Sequence, residues 1–156
     1  GVEEITPWRF GAALSPDMAA EREQRSIPFS PLVDFCAERP NVDVTLIEGI
    51  GGIMVPLTSA HTVLDWIEAL MVPVLLVVGS YLGTLSHTLT AIGMLRARGQ
   101  KLAGVIVNES AEQPVSLRET AGTIARFVEP TPVTVLTRLR SYDEAPDLLP
   151  LIEPYL

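Results

Sequence analysis

The stretch from residue 72 to residue 89, Val72-Pro73-Val74-Leu75-Leu76-Val77-Val78-Gly79-Ser80-Tyr81-Leu82-Gly83-Thr84-Leu85-Ser86-His87-Thr88-Leu89, reads VPVLLVVGSYLGTLSHTL. Its first half, Val74 to Val78, is a short run of aliphatic and β-branched residues with no polar alternation, the pattern of a strand covered on both faces. Beyond Gly79 the period changes. Leu85, Leu89, Ile92 and Leu95, with Thr88, recur at helical spacing as far as Ala97. A buried strand that hands over to such a helix is the repeating unit of a parallel sheet, because parallel neighbours need a crossover between them.

Working outward, Val42 to Ile47 (VDVTLI) and Ala103 to Val107 (AGVIV) repeat the strand pattern, and Val133 to Leu136 (VTVL) is a shorter fourth candidate. Val63 to Leu70 predicts a second helix with Val63, Leu64, Ile67 and Leu70 on one face. Ser15-Pro16 and Ser30-Pro31 each place a capping hydroxyl before a proline suited to a first helical turn. Ser116 with Glu119 forms a capping-box pattern before a helix to about Val128, and Gly99 stands where a helix end needs a left-handed residue. The alternation predicts an α/β protein, an open parallel sheet with helices on both faces, in one domain spanning residues 1–156. Pro130, Pro132 and the tail Pro146 to Leu156 read as loosely ordered.

With 156 residues, 47% of them hydrophobic, the chain can fill a core. A net charge of -8 argues against a general nucleic-acid binder, which needs clustered cations to neutralise phosphates. The longest apolar run, Val72 to Gly79, is interrupted by Pro73 and falls well short of the roughly 18 residues of a membrane span. The N-terminal GVEEITPWRF has no apolar signal core, so the expectation is a soluble, cytoplasmic protein with no membrane partner. Cys36, the single cysteine, excludes an internal disulfide and a cysteine-based zinc cluster.

Ligands of open parallel sheets bind beyond the carboxyl ends of the strands, which directs attention to three segments expected to converge on one edge. In the first, Glu48 could help coordinate Mg²⁺ beside substrate phosphates, and Gly49, Ile50, Gly51 and Gly52 could bring backbone N–H groups against an anion. The same residues also suit a solvated carboxylate above a tight turn. In the second, Gly83, Thr84, Leu85 and Ser86 open the long helix, whose free N–H groups suit a carboxylate or phosphate, unless Thr84 or Ser86 merely caps it. In the third, Asn108 offers a donor and an acceptor to a purine edge, or simply starts a turn before Glu109 and Ser110. His61 and Asp65, four residues apart, have the spacing of a helical pair, though a solvated face is the favoured explanation.

A nucleotide enzyme of this layout carries a Gly-x-x-x-x-Gly-Lys-Ser/Thr loop around the phosphates. The 156 residues contain no such loop: the only lysine lies in Gly99-Gln100-Lys101-Leu102, with neither the glycine spacing nor a following hydroxyl. The ordered series AALSPDMAAERE, TLIEGIGGIMVPL, DW, VPVLLVVGSYLGTLSHTL and GVIVNE nevertheless resembles dethiobiotin synthetase, from beyond its phosphate loop to its C-terminus. The resemblance begins near Phe10.

It implies a P-loop-NTPase-like fold whose first strand and phosphate loop lie outside these residues. It also implies an ATP- and Mg²⁺-dependent ligase of biotin synthesis. That enzyme joins diaminopelargonate and CO₂ as a carbamate, phosphorylates it with ATP, and closes the ureido ring with release of phosphate. On the resemblance, Glu48 is the Mg²⁺-associated carboxylate and Gly49, Ile50, Gly51 and Gly52 lie near substrate and phosphates. Asn108 contacts adenine, and Gly83, Thr84, Leu85 and Ser86 receive the substrate carboxylate of the neighbouring subunit's site in a homodimer. The chain departs from the family where Ser86 replaces the usual Asn before the helix His, and where Thr134-Val135-Leu136-Thr137-Arg138 replaces a Gly-x-Ile-Pro turn.

Without an N-terminal segment bearing the phosphate loop, the chain is expected to be inactive by itself and marginally stable, with unpaired strand edges. Two alternatives stay open, a non-catalytic binding or dimerisation module of the same fold and a ligase domain of the cobyric acid synthase type.

Overall fold

Four helices precede the first strand in the computed structural model, which describes residues 1–38 and 42–156. They are α1 (Val2–Ile5), α2 (Pro16–Arg22), α3 (Phe29–Ala37) and α4 (Val63–Leu70). These helices belong to one unit, Gly1–Met71, and the rest of the chain, Val72–Leu156, forms a second.

In the first unit, Ser15 is the N-cap of α2 with Pro16 in its first turn, as its sequence predicts, but the Ser15 hydroxyl makes no capping hydrogen bond. α3 starts earlier than Ser30-Pro31 implies: Pro28 is the N-cap, and both residues fall inside the first turn. That turn tolerates Pro31 because its N–H has no intrahelical partner to lose. α4 has the predicted bounds and a reciprocal cap. The Thr62 hydroxyl accepts from the Asp65 N–H, and the Asp65 carboxylate accepts from the Thr62 N–H at 2.7 Å. Val63 and Trp66 of α4 pack with Leu57 into a core flanked by Phe29, Leu32, Val33 and Cys36. Burial pushes the Cys36 thiol above its ordinary pKa.

The expected strand Val42 to Ile47 does not form. It carries no ladder among the described residues, and Val42 and Leu46 are 57% and 81% exposed. An apolar run can specify burial, but ladder hydrogen bonds have to come from a neighbour, and no described segment supplies one.

The second unit contains the sheet. Strands β1 (Val74–Gly79), β2 (Leu102–Asn108) and β3 (Val133–Leu136) are parallel in the order β1-β2-β3. β2 is central and buried on both faces, with Ala103, Val105 and Val107 alternating with Gly104 and Ile106. Helices α5 (Thr84–Ala97) and α6 (Leu117–Val128) make the crossovers and pack on each other. α5 ends at a left-handed Gly99, φ +67, and α6 begins with the expected Ser116–Glu119 capping box. The tail is more ordered than its prolines suggest. Leu149–Leu151 and Glu153–Tyr155 are 3₁₀ turns, and the buried Leu151 packs 3.2 Å from where a Cβ on Gly104 would sit. Both tryptophans, Trp8 and Trp66, lie in the first unit, and the three tyrosines, Tyr81, Tyr142 and Tyr155, in the second. Among the described residues no helix is long and apolar enough to cross a membrane.

Candidate functional site

Parallel pairing sets Gly79, Asn108 and Leu136 side by side at the ends of the three strands, so the loops beyond them leave the sheet together. Two of these loops are joined reciprocally. The Ser80 N–H donates to Ser110 Oγ at 3.0 Å, and the Ser110 N–H donates to Ser80 Oγ at 2.9 Å. Ser80 Oγ also donates to Gln113 Oε1 at 2.9 Å, so a hydroxyl only 1% exposed both accepts and donates. The approach is close enough to require glycine before it. A Cβ on Gly79 would lie 2.8 Å from Ser110 Oγ and 2.7 Å from the Tyr81 ring. The third loop is tied in through Glu109, whose N–H donates to the Leu136 carbonyl at 2.8 Å. The Glu109 carboxylate accepts from the Arg138 N–H at 2.8 Å and, more weakly at 3.5 Å, from Gln113 Nε2.

The start of α5 lies beside this edge. Gly83 is its N-cap with φ +101, a conformation that favours glycine. No hydroxyl caps the helix. Thr84 Oγ1 instead donates back to the Gly79 carbonyl at 2.6 Å, which anchors the helix to β1 and leaves the first-turn N–H groups of Leu85 and Ser86 without intrahelical carbonyls. The Tyr81 hydroxyl and His87 Nδ1 are 2.9 Å apart. A shallow cleft of about 500 Å³ is lined by Tyr81, Leu82, Glu112, Gln113 and Pro114. Asn108 is exposed, and its side-chain amide has no hydrogen-bond partner among the described residues. That free donor and acceptor pair fits the complementary edge of an adenine.

Glu48 and the glycines after it belong to the other unit. Glu48 and Ile50 are exposed. Gly49 and Gly51 have packing reasons: a Cβ at Gly49 would meet Val63 Cγ1 at 3.0 Å, and Gly51, at φ +70, would meet Val55 Cγ2 at 2.8 Å. Gly52 is exposed, with open space where its Cβ would be. The loop is pinned to the start of α4 by the Val63 N–H donating to the Val55 carbonyl and the Leu64 N–H to the Ile53 carbonyl, at 3.0 and 2.7 Å. His61 precedes α4, so it and Asp65 do not form a pair within that helix. Asp65 serves the α4 cap, while His61 Nδ1 lies 3.0 Å from Thr58 Oγ1 and its ring stacks on Phe29 at 3.9 Å. Among the described residues no three His, Cys, Asp or Glu side chains group to hold a metal. As a lone exposed carboxylate, Glu48 fits an Mg²⁺ held mainly by phosphate oxygens and water, not an all-protein cage.

The strand-end rule thus brings Asn108 and Gly83 to Ser86 together in one unit, the structure gives bonds to Ser80, Glu109 and Ser110 of the same strand-end segments, and it adds Gln113. The serines carry the same strand-end signal as Asn108. Each stands just beyond the end of one of two neighbouring strands, and one comes directly after a glycine.

A family model described as an AAA domain matches residues 2–145. Several curated proteins also match. The ATP-dependent dethiobiotin synthetase of Acidiphilium cryptum is 47% identical over 148 residues, covering 94% of this chain and 64% of that protein. The ATP-dependent dethiobiotin synthetase of Methylobacterium nodulans is 48% identical, over 80% of this chain and 57% of its own length. That of Yersinia pestis is 32% identical, over 94% and 61%. The chain therefore spans about three-fifths of the length of these relatives.

Proposed function

The chain belongs to the AAA-domain family, and on that premise we propose that it is part of an ATP- and Mg²⁺-dependent dethiobiotin synthetase acting as a cytoplasmic homodimer. Its reaction is the closure of a ureido ring on diaminopelargonate. One amine takes up CO₂ as a carbamate, the carbamate oxygen takes the terminal phosphoryl group of ATP, and the second amine attacks the carbonyl and expels phosphate.

The observation that carries this reading is the match to relatives named for that activity over 94% of this chain at 47% identity. The strand-end geometry supports it. The exposed Asn108 amide suits the adenine, and the open first turn of α5, from Gly83 to Ser86, suits a substrate carboxylate. Glu48 is the proposed Mg²⁺-associated carboxylate, with Gly49, Ile50, Gly51 and Gly52 near substrate and phosphates. When bound, Mg²⁺ neutralises charge developing on the transferred phosphoryl group. These residues hold no glycine-rich phosphate loop, so we propose that the 156 residues alone do not turn over.

The test joins the chain to the part of the Acidiphilium synthetase that it does not span. The joined protein is expected to form dethiobiotin from diaminopelargonate, bicarbonate and Mg·ATP, with Glu48→Gln lowering kcat by about a hundredfold or more. No product from a folded joined protein would overturn the assignment. Robust product from the 156 residues alone would sink the claim of inactivity.

A further inference from the structure

We propose that Glu109 is a positioning residue of the nucleotide end: its carboxylate ties the loop after β2 to the loop after β3 and so helps to fix Asn108 for a purine. The inference rests on the adenine reading of Asn108.

Asn108 is the last laddered residue of the central strand, with Gly79 on one side and Leu136 on the other, so its backbone is held from both flanks. The loop beyond Asn108 is held by the Glu109 N–H on the Leu136 carbonyl and by the Ser80–Ser110 pair, and the Glu109 side chain adds a second tie to the loop after β3. Glu109 Oε2 accepts from the Arg138 N–H at 2.8 Å, and Oε1 lies 3.5 Å from Gln113 Nε2. Gln113 in turn accepts the Ser80 hydroxyl proton. The carboxylate is therefore the node of a chain, Ser80–Gln113–Glu109–Arg138, that runs across the ends of all three strands.

Asn108 directly precedes the node of that chain and keeps its own amide unspent. An amide pairs with adenine through N6 and N7, one donated and one accepted bond. A guanine is read best by a carboxylate accepting from its N1–H and N2–H groups. The adjacent carboxylate is engaged through Oε2 on the Arg138 backbone N–H. The arrangement favours adenine by the donor and acceptor that Asn108 offers, beside a carboxylate turned through one oxygen to the Arg138 backbone.

The experiment titrates the 156-residue chain and its variants with Mg·ATP and Mg·GTP, followed by NMR, and measures amide exchange at Arg138 in the free protein. The unmodified chain is expected to prefer ATP. Asn108→Ala and Glu109→Ala should each lower the ATP-to-GTP affinity ratio by about tenfold, and the double variant should lose no more than either alone. Glu109→Gln keeps an acceptor for the Arg138 N–H and should keep both the ratio and the slow exchange, which Glu109→Ala loses.

If Glu109→Ala weakens both nucleotides equally, or leaves the ratio unchanged while Asn108→Ala lowers it, the positioning role is wrong and the adenine site stands. If the unmodified chain shows no preference and Asn108→Ala changes nothing, the adenine reading fails and the positioning role falls with it.

Discussion

In the Val72–Leu156 unit every strand has a laddered neighbour, and Val105 and Val107 at its centre are sealed from solvent. In the Gly1–Met71 unit the run Val42 to Ile47, with much the same aliphatic content, has no ladder among the described residues and leaves Val42 and Leu46 exposed. The difference separates two things that an apolar run is often taken to supply together. Side chains set whether a strand can be buried, and a neighbour's N–H and C=O groups decide whether it becomes one. β1 makes the complementary point, since among the described residues it pairs only with β2 and keeps one edge unpaired.

The sharpest way to break this comparison is amide exchange. The β2 amides are expected to exchange at least about a thousandfold more slowly than those of residues 42–47, because core strands open only with near-global unfolding. Comparable rates would show that the Val42 to Ile47 run is laddered in solution.

A smaller effect asks whether the units unfold separately. Ile124 and Leu64 are both fully buried, one in each unit. Replacing either by Ala should cost about 2–5 kcal/mol locally. The aromatic residues provide the readout, since tryptophan fluorescence reports the first unit and tyrosine the second. Ile124→Ala is expected to lower the tyrosine transition and leave the tryptophan transition in place, with the reverse for Leu64→Ala. Coincident transitions in both variants would show one cooperative unit.

The smallest effect concerns the α6 cap. Hydrogen bonds from the Ser116 hydroxyl and backbone N–H hold the Glu119 carboxyl below its ordinary range. A depressed carboxylate pKa adds stability in full above the unfolded value, and that stability disappears as pH falls through the folded value. The difference in Tm between the unmodified chain and Glu119→Gln should therefore be present at neutral pH and shrink in acid. A difference that persists unchanged through acid pH would show that the ionised carboxylate is not its source.

Legibility in the sequence tracks the range of the forces involved. β1, β2, α4, α5 and α6 are legible because a run, a capping box or a terminal glycine lies within a few residues of each boundary. The failed strand at Val42 to Ile47, the early start of α3 and the seated Leu151 depend on partners elsewhere in the chain or on a choice between two prolines. The candidate site divides in the same way. Strand ends point to Asn108 and the start of α5, but the roles of Thr84, Ser80, Ser110 and Glu109 come from bonds reaching 5 to 30 residues along the chain. A hydroxyl that anchors a loop and one that only meets water look the same in sequence.

The contact between Leu151 and Gly104 makes two distant positions interdependent. A side chain at 104 would occupy the space that Leu151 fills, and a shorter residue at 151 would leave that space vacant. Over generations of substitution the two sites should therefore change as a pair, with a larger residue at 104 accepted only alongside a smaller one at 151. The 3₁₀ turn Leu149–Leu151 then acts as a record of what the central strand allows.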